Sequence, residues 1–238
     1  MAVTVVVPVK HLSDAKSRLA SVLDPEGRRE LVIDMLENVL SAARQSKAQN
    51  VLVVSGDPVV GEVAWAGGAT WMRDPASTLN GTLLTVFRVC WERSETPLYL
   101  PADLPRLVAS DVDGIVEAWA GEDRIVLSPS RDEQGTNALL VPATCRIEPL
   151  LGRRSFARHV ARAERSGIAV KVYRTPDSIF DAQLKAWDVL TERMSADPFF
   201  KKVVASQRAW AKRVVYYETL NAADFIKGYE HIFGKLPR

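Results

Sequence analysis

Residues 3–7 of this chain read VTVVV, a β-branched run without a single charged side chain. A strand with one wet face alternates apolar and polar residues, and this run does not. It has the pattern of a strand covered on both faces, which belongs in a largely parallel sheet between two layers of helices. The run ends at Pro8, and the loop that follows delivers Lys10, Lys16 and Arg18 in close succession. Open α/β sheets bind ligands beyond the carboxyl ends of their strands. Cations gathered there point to a ligand that carries phosphates.

The rest of the chain repeats the alternation. Strands are expected at 50–55, 70–72, 98–100, 125–128, 138–141 and 169–173. Helices are expected at 25–43, 59–66, 79–91, 110–119 and 156–165. Asp24 precedes Pro25, the pairing of an N-cap with a proline at the first helical position; Ser110 and Ser155 read as caps of their helices in the same way. The βαβ order predicts an α/β fold, a mainly parallel sheet with helices on both faces. From about residue 178 the character changes to helices rich in aromatic and basic residues, with no further strand. The expected organisation is therefore an α/β domain over 1–177 and a helical extension over 178–238.

Composition narrows the function classes. With 47% apolar and 25% charged residues and a net charge of +2, the chain reads as globular and offers no case for nucleic acid as its main partner. Two cysteines, Cys90 and Cys145, are too few for a disulfide framework and lack metal-ligand spacing. No apolar stretch approaches the roughly 18–20 residues of a membrane span, and the N-terminus has neither a basic n-region nor a long apolar h-region. A cytoplasmic protein is expected.

Four segments have chemistry of their own. Lys10, Lys16, Ser17 and Arg18 suit a grip on phosphates and the charge that develops in phosphoryl transfer; without a glycine-rich phosphate loop, they read equally as a solvated basic start to a helix. Asp103, in Pro101-Ala-Asp-Leu-Pro105, follows a strand and is placed to hold a hard divalent cation such as Mg²⁺; an Asp there also serves as the cap of a turn. The stretch from Ser128 to Leu140, SPSRDEQGTNALL, sets Gly135, Thr136 and Asn137 just before an apolar run. It reads as a loop that binds an anion or a base edge, or as an ordinary polar hairpin connection. In Gly152-Arg-Arg-Ser-Phe-Ala-Arg-His159, free amides at a helix start and three arginines favour an anion. His159 in this segment reads as structural more readily than catalytic. Zinc spacing, a nucleophile elbow and paired hydrolytic carboxylates are absent.

PVKHLSDAKSRLA (8–20), Leu79-Asn80, PADLP (101–105), SPSRDEQGTNALL (128–140) and GRRSFARH (152–159), in that order, resemble the guanylyltransferases of coenzyme F420 biosynthesis. The resemblance covers about residues 1–177 and implies a nucleotidyltransferase fold of the nucleotide-diphospho-sugar transferase type. It implies GTP as substrate, Mg²⁺ as cofactor, and 2-phospho-L-lactate, phosphoenolpyruvate or 3-phosphoglycerate as acceptor. Lys16, Arg18 and Asp103 would be the catalytic residues. The nucleotide side would take in Pro8, Lys10, Lys16, Ser17, Arg18, Leu79, Asn80 and Asp103. Thr136, Gly152 and Ser155 would bind the phosphorylated acid, and Asp103 with Asp181 would hold the metal.

Two departures from that family's pattern leave alternatives open. Thr78 stands where relatives of this type carry Gly, and Thr would be strained there if φ were positive; a different nucleotide or acceptor is the alternative it motivates. Gln183 stands where a second Asp is expected after Asp181, which motivates a nucleotide-binding protein with impaired catalysis. Beyond that point, FDAQLKAWDVLTERMSADPFFKKVVASQRAWAKRVVYY resembles the C-terminal helices of TRAP-transporter solute-binding proteins. Its aromatic and apolar residues favour docking or homodimer formation over contact with a membrane.

Overall fold

The computed structural model describes residues 2–14, 16–76, 78–130, 133–174 and 177–221, with side chains for all of these except 177–183, 213 and 215–221. The chain divides into two compact units, Met1–Thr175 and Pro176–Arg238.

The first unit is built on a seven-stranded sheet in the order β3-β2-β1-β4-β6-β5-β7. The strands are β1 (Ala2–Pro8), β2 (Asn50–Val54), β3 (Thr70–Met72), β4 (Glu95–Tyr99), β5 (Arg124–Pro129), β6 (Thr136–Leu140) and β7 (Ala169–Val172). β1 lies between β2 and β4 and is parallel to both. Its side chains go alternately to two cores, with Val3, Val5 and Val7 in one and Val6 in the other. That double burial is what the unbroken β-branched run requires. On the first face pack α1 (Pro25–Gln45), α2 (Pro58–Ala66) and α4 (Ala109–Trp119); on the second, α3 (Leu79–Glu92) and α5 (Ser155–Arg165).

β6 is antiparallel to both of its neighbours, while the remaining pairings are parallel. The segment between β5 and β6 is thus a hairpin connection, the plainer of the two readings of SPSRDEQGTNALL. β4 starts at Glu95, three residues before the expected strand, and contains Pro97. Leu100 donates to Val6 on β1, so by alternation the nitrogen of Pro97 faces β6. The β4–β6 register stops at Leu98 opposite Leu140, and the missing N–H of proline falls beyond it.

α1 is capped as expected, Asp24 accepting from the Gly27 N–H at 2.7 Å with Pro25 at the first position. Two caps differ. α4 begins at Ala109, and Asp111 rather than Ser110 secures it by accepting from the Val108 N–H. Ser155 is the first residue inside α5, and Arg154, at φ 55°, precedes it. In the second unit, α6 (Asp177–Met194) and α7 (Pro198–Asn221) form the helices expected after residue 178. No helix among the described residues is long and apolar enough to cross a membrane.

Candidate functional site

The sheet topology brings the candidate residues to one edge. The loops after β1 and β4 leave from the carboxyl ends of adjacent parallel strands. β6 runs the other way, so its first residue, Thr136, lies at that same edge, beyond the pairing of Tyr99 with Leu139. Lys16 and Asp103, in the loops after β1 and β4, and Thr136, the first residue of β6, therefore belong to the same edge of the sheet.

Lys16 and Asp103 meet directly, Nζ to Oδ2 at 2.9 Å. Their side chains are 31% and 54% exposed, and an ion pair in that setting contributes about 0–1 kcal/mol. Phosphates that take Lys16 can thus separate the pair at small cost. Lys16 adopts a left-handed backbone, φ 48°, at the start of a short 3-10 turn, Ser17–Leu19. Lys10, Ser17 and Arg18 are exposed around it, and Pro8 is the last residue of β1.

Asp57, which the sequence reading passed over, fixes this loop. Its carboxylate is buried at the N-terminus of α2 and accepts from the Val59 N–H at 3.0 Å. The other oxygen accepts from the Leu12 N–H at 3.0 Å and lies 3.2 Å from His11 Nδ1. The Asp-Pro pair before a helix was the visible sign of a cap. The second bond, spanning 45 residues, had no sign in the sequence.

Two of the residues expected to bind the acid, Thr136 and Ser155, form a buried polar cluster with His159. Thr136 Oγ1 is 3.0 Å from Ser155 Oγ and 3.2 Å from His159 Nδ1. Thr136, Ser155 and His159 are 7%, 1% and 0% exposed. Ser155 does not cap α5 with its hydroxyl, because that group is committed to Thr136. His159 Nε2 accepts from the Leu150 N–H at 2.8 Å. Burial pushes the imidazole down to about 4, with a smaller effect in the same direction from the Arg158 charge and an opposing one from a Ser155 backbone hydrogen bond. The ring is therefore neutral at pH 7. Ser155, His159 and Ala163 recur at every fourth position and form the buried face of α5.

Gly152 has φ 115°, a conformation L side chains rarely adopt, which explains a glycine in this loop. Asn80 holds the residue before it: Leu151 N–H donates to Oδ1 at 2.8 Å, and Nδ2 donates to the Leu151 carbonyl at 3.2 Å. Asn80 thereby ties the start of α3 to the loop before α5, while Leu79 next to it is 39% exposed. Thr78 has φ −129°, extended and unstrained, and its hydroxyl caps α3 by accepting from the Gly81 N–H.

Next to Gly152 lies a cavity of about 810 Å³, lined by Leu150, Arg153, Arg154, Ala157, Arg158, Ala161 and Arg165. Its four arginines make this end of the edge attractive to anions. Among the described residues, no group of three or more His, Cys, Asp or Glu is placed to hold a metal. Asp181 falls in α6, and its side chain is outside those described.

Comparisons with known proteins agree with one another. The relatives include proteins named phosphoenolpyruvate guanylyltransferase. That of Rubrobacter xylanophilus is 41% identical over 182 residues, covering 76% of this chain and 89% of its own. That of Sphaerobacter thermophilus is 40% identical over 190 residues, covering 78% and 90%. Among solved structures, a candidate nucleotide-diphospho-sugar transferase of Desulfovibrio desulfuricans G20 superimposes with a TM-score of 0.64 at 13% identity, covering 73% of this chain and 80% of that one. A nucleotidyl transferase of Methanothermobacter gives 0.53 at 18% identity, covering 73% and 87%. These structural likenesses show the nucleotidyltransferase fold. The model of the family described as guanylyl transferase CofC like matches residues 3–192, most of the chain, and the chain belongs to that family.

Proposed function

We propose that this protein transfers GMP from GTP to phosphoenolpyruvate and releases pyrophosphate, the guanylyl-transfer step of coenzyme F420 biosynthesis. The observation that carries the reading is the placement, at one edge of the sheet, of a cation–carboxylate pair suited to a triphosphate, in the loops after β1 and β4, and a buried hydroxyl pair suited to a small anion, at the starts of β6 and α5. Phosphoenolpyruvate is preferred over 2-phospho-L-lactate and 3-phosphoglycerate because the similar relatives bear its name.

A phosphate oxygen of the acid attacks the α-phosphorus of GTP, and the bond from that phosphorus to the β-phosphate oxygen breaks. The acceptor phosphate is ionised at neutral pH, so no strong general base is needed. Positioning and charge neutralisation are what the protein has to supply. Lys16 and Arg18 take the triphosphate, with Lys10 and Ser17 beside them. Thr136, Gly152 and Ser155 take the acid. Asp103 suits Mg²⁺ held by one carboxylate and substrate phosphates, and the cation would offset charge on those phosphates.

Thr78, unstrained at φ −129°, gives no reason to look for another base. GTP as substrate and two buried, unpaired cysteines fit a cytoplasmic enzyme. We read residues 1–177 as the transferase and 178–238, whose first part to residue 192 the family model still covers, as an extension. Its exposed Trp187, Leu190, Phe199 and Trp210 favour pairing of two copies, which light scattering tests.

The test of the activity is pyrophosphate release from GTP and Mg²⁺ with each of the three acids. Release with phosphoenolpyruvate is expected, with GTP preferred over CTP, UTP and ATP. Folded protein that releases none with any of the acids would refute the proposal.

A further inference from the structure

We propose that His159 is a positioning residue of the acid site, and that it acts by fixing which way the hydroxyl hydrogens of Thr136 and Ser155 point. The inference rests on the assignment of those two residues, with Gly152, to the phosphorylated acid.

The argument is one of donor and acceptor inventory. A backbone N–H only donates, so the 2.8 Å contact from Leu150 makes His159 Nε2 an acceptor. A neutral imidazole with an accepting Nε2 carries its proton on Nδ1. Nδ1 lies 3.2 Å from Thr136 Oγ1, and the Ser155 backbone carbonyl is its other hydrogen-bond neighbour; a protonated Nδ1 has no lone pair to accept the Thr136 hydroxyl hydrogen. Thr136 and Ser155 then share one hydrogen between their oxygens, 3.0 Å apart, and keep the other. That remaining hydroxyl hydrogen is available to donate to an anion.

The other tautomer reverses the result. An unprotonated Nδ1 would accept the Thr136 hydroxyl hydrogen, Ser155 would donate to Thr136, and neither hydroxyl would have a hydrogen left for the acid. Leu150 N–H excludes this arrangement, because Nε2–H would face another donor. One contact therefore does two things: it ties the loop before Gly152 to α5, and it turns the buried hydroxyl pair into a donor. His159 is fully buried and touches no substrate, so its effect is exerted through Thr136 and Ser155.

Two measurements test this. Long-range ¹H–¹⁵N NMR of the wild-type imidazole at pH 7 should show the Nδ1–H tautomer; Nε2–H, or an exchanging mixture, overturns the proposal. In parallel, pyrophosphate release is followed for wild type, His159→Phe and His159→Asn, with thermal midpoints as the control for folding. His159→Phe removes both ring hydrogen bonds and should raise the KM for phosphoenolpyruvate about tenfold or more, with the KM for GTP within twofold. His159→Asn keeps an amide N–H near the place of Nδ1 and should recover at least threefold of that loss. Equal effects of Phe and Asn, or parallel changes in both KM values, overturn the proposal. Wild-type protein that turns over no phosphoenolpyruvate refutes the proposed function instead, and the ring tautomer alone then decides.

Discussion

Acidification should cost this protein stability through His159, and the size of the effect follows from its surroundings. The imidazole is fully buried, with the Thr136 hydroxyl at Nδ1 and the Leu150 N–H at Nε2. The charge facing it is Arg158, which opposes protonation as burial does, so the ring titrates near 4 rather than at its ordinary 6.5. Between those two values the unfolded chain binds a proton that the folded chain refuses. Stability from this group is complete above about pH 6.5 and is lost as pH falls toward 4. At about 1.4 kcal/mol per pH unit, the loss amounts to about 3 kcal/mol, a large share of the stability of an ordinary domain. The assay is urea unfolding of wild type and His159→Gln at half-unit steps from pH 8 to pH 4, read as the difference between the two. The raised carboxyl of Asp111 and the contribution of the helical extension are common to both proteins and cancel. The difference should be constant above about pH 7 and move against wild type below it. A difference that stays flat down to pH 4 would mean that water reaches the ring, and would refute the reasoning.

Removing the Asn80 amide by Asn80→Leu leaves both Leu151 backbone groups without their side-chain partner. It should lower unfolding stability by about 1–3 kcal/mol, and raise the KM for phosphoenolpyruvate more than that for GTP, because the loop it releases leads to Gly152. Thr78→Val removes the cap of α3 and should cost about 1 kcal/mol in chemical denaturation; a gain in stability would mean that the hydroxyl does not cap.

How far the sequence alone reaches differs from element to element. β1 was legible because five consecutive side chains had to find apolar or satisfied surroundings on two faces, and only a covered sheet offers that. α1 announced itself through Asp24-Pro25. The reversed direction of β6 was not legible. A short apolar strand reads the same in either direction, and its polarity here depends on the length of the connection after β5. In the candidate site, polar residues in loops that follow strands were legible, as with Lys16 and Asp103, which lie 2.9 Å apart. The site was not legible where a side chain closes on remote backbone: Asp57 on Leu12, Asn80 on Leu151 and His159 on Leu150. Backbone N–H groups are the same in every residue, so a partner 45 or 71 positions away leaves no mark on composition or spacing. Ser155 shows the converse, a residue type suited to a cap whose hydroxyl is drawn elsewhere by a neighbour on β6.

The pairing of Lys16 with Asp103 bears on the order of events at the nucleotide. While the two are joined, the ammonium neutralises the carboxylate that would otherwise attract a divalent cation. A triphosphate competes for Lys16 with several charges against one, and the exposed pair has little to hold it together. The released carboxylate then stands beside phosphate oxygens, the mixed donor set that Mg²⁺ favours. Metal and nucleotide should therefore bind cooperatively. Calorimetry should find Mg²⁺ alone binding weakly, GTP alone binding measurably through Lys16 and Arg18, and GTP binding at least tenfold tighter with Mg²⁺ present. Asp103→Asn should erase that gain while leaving metal-free GTP binding within a few-fold of wild type. GTP affinity that is the same with and without Mg²⁺ in the wild-type protein would instead favour a nucleotide-binding protein that has lost its metal-dependent chemistry, the reading that Gln183 first raised.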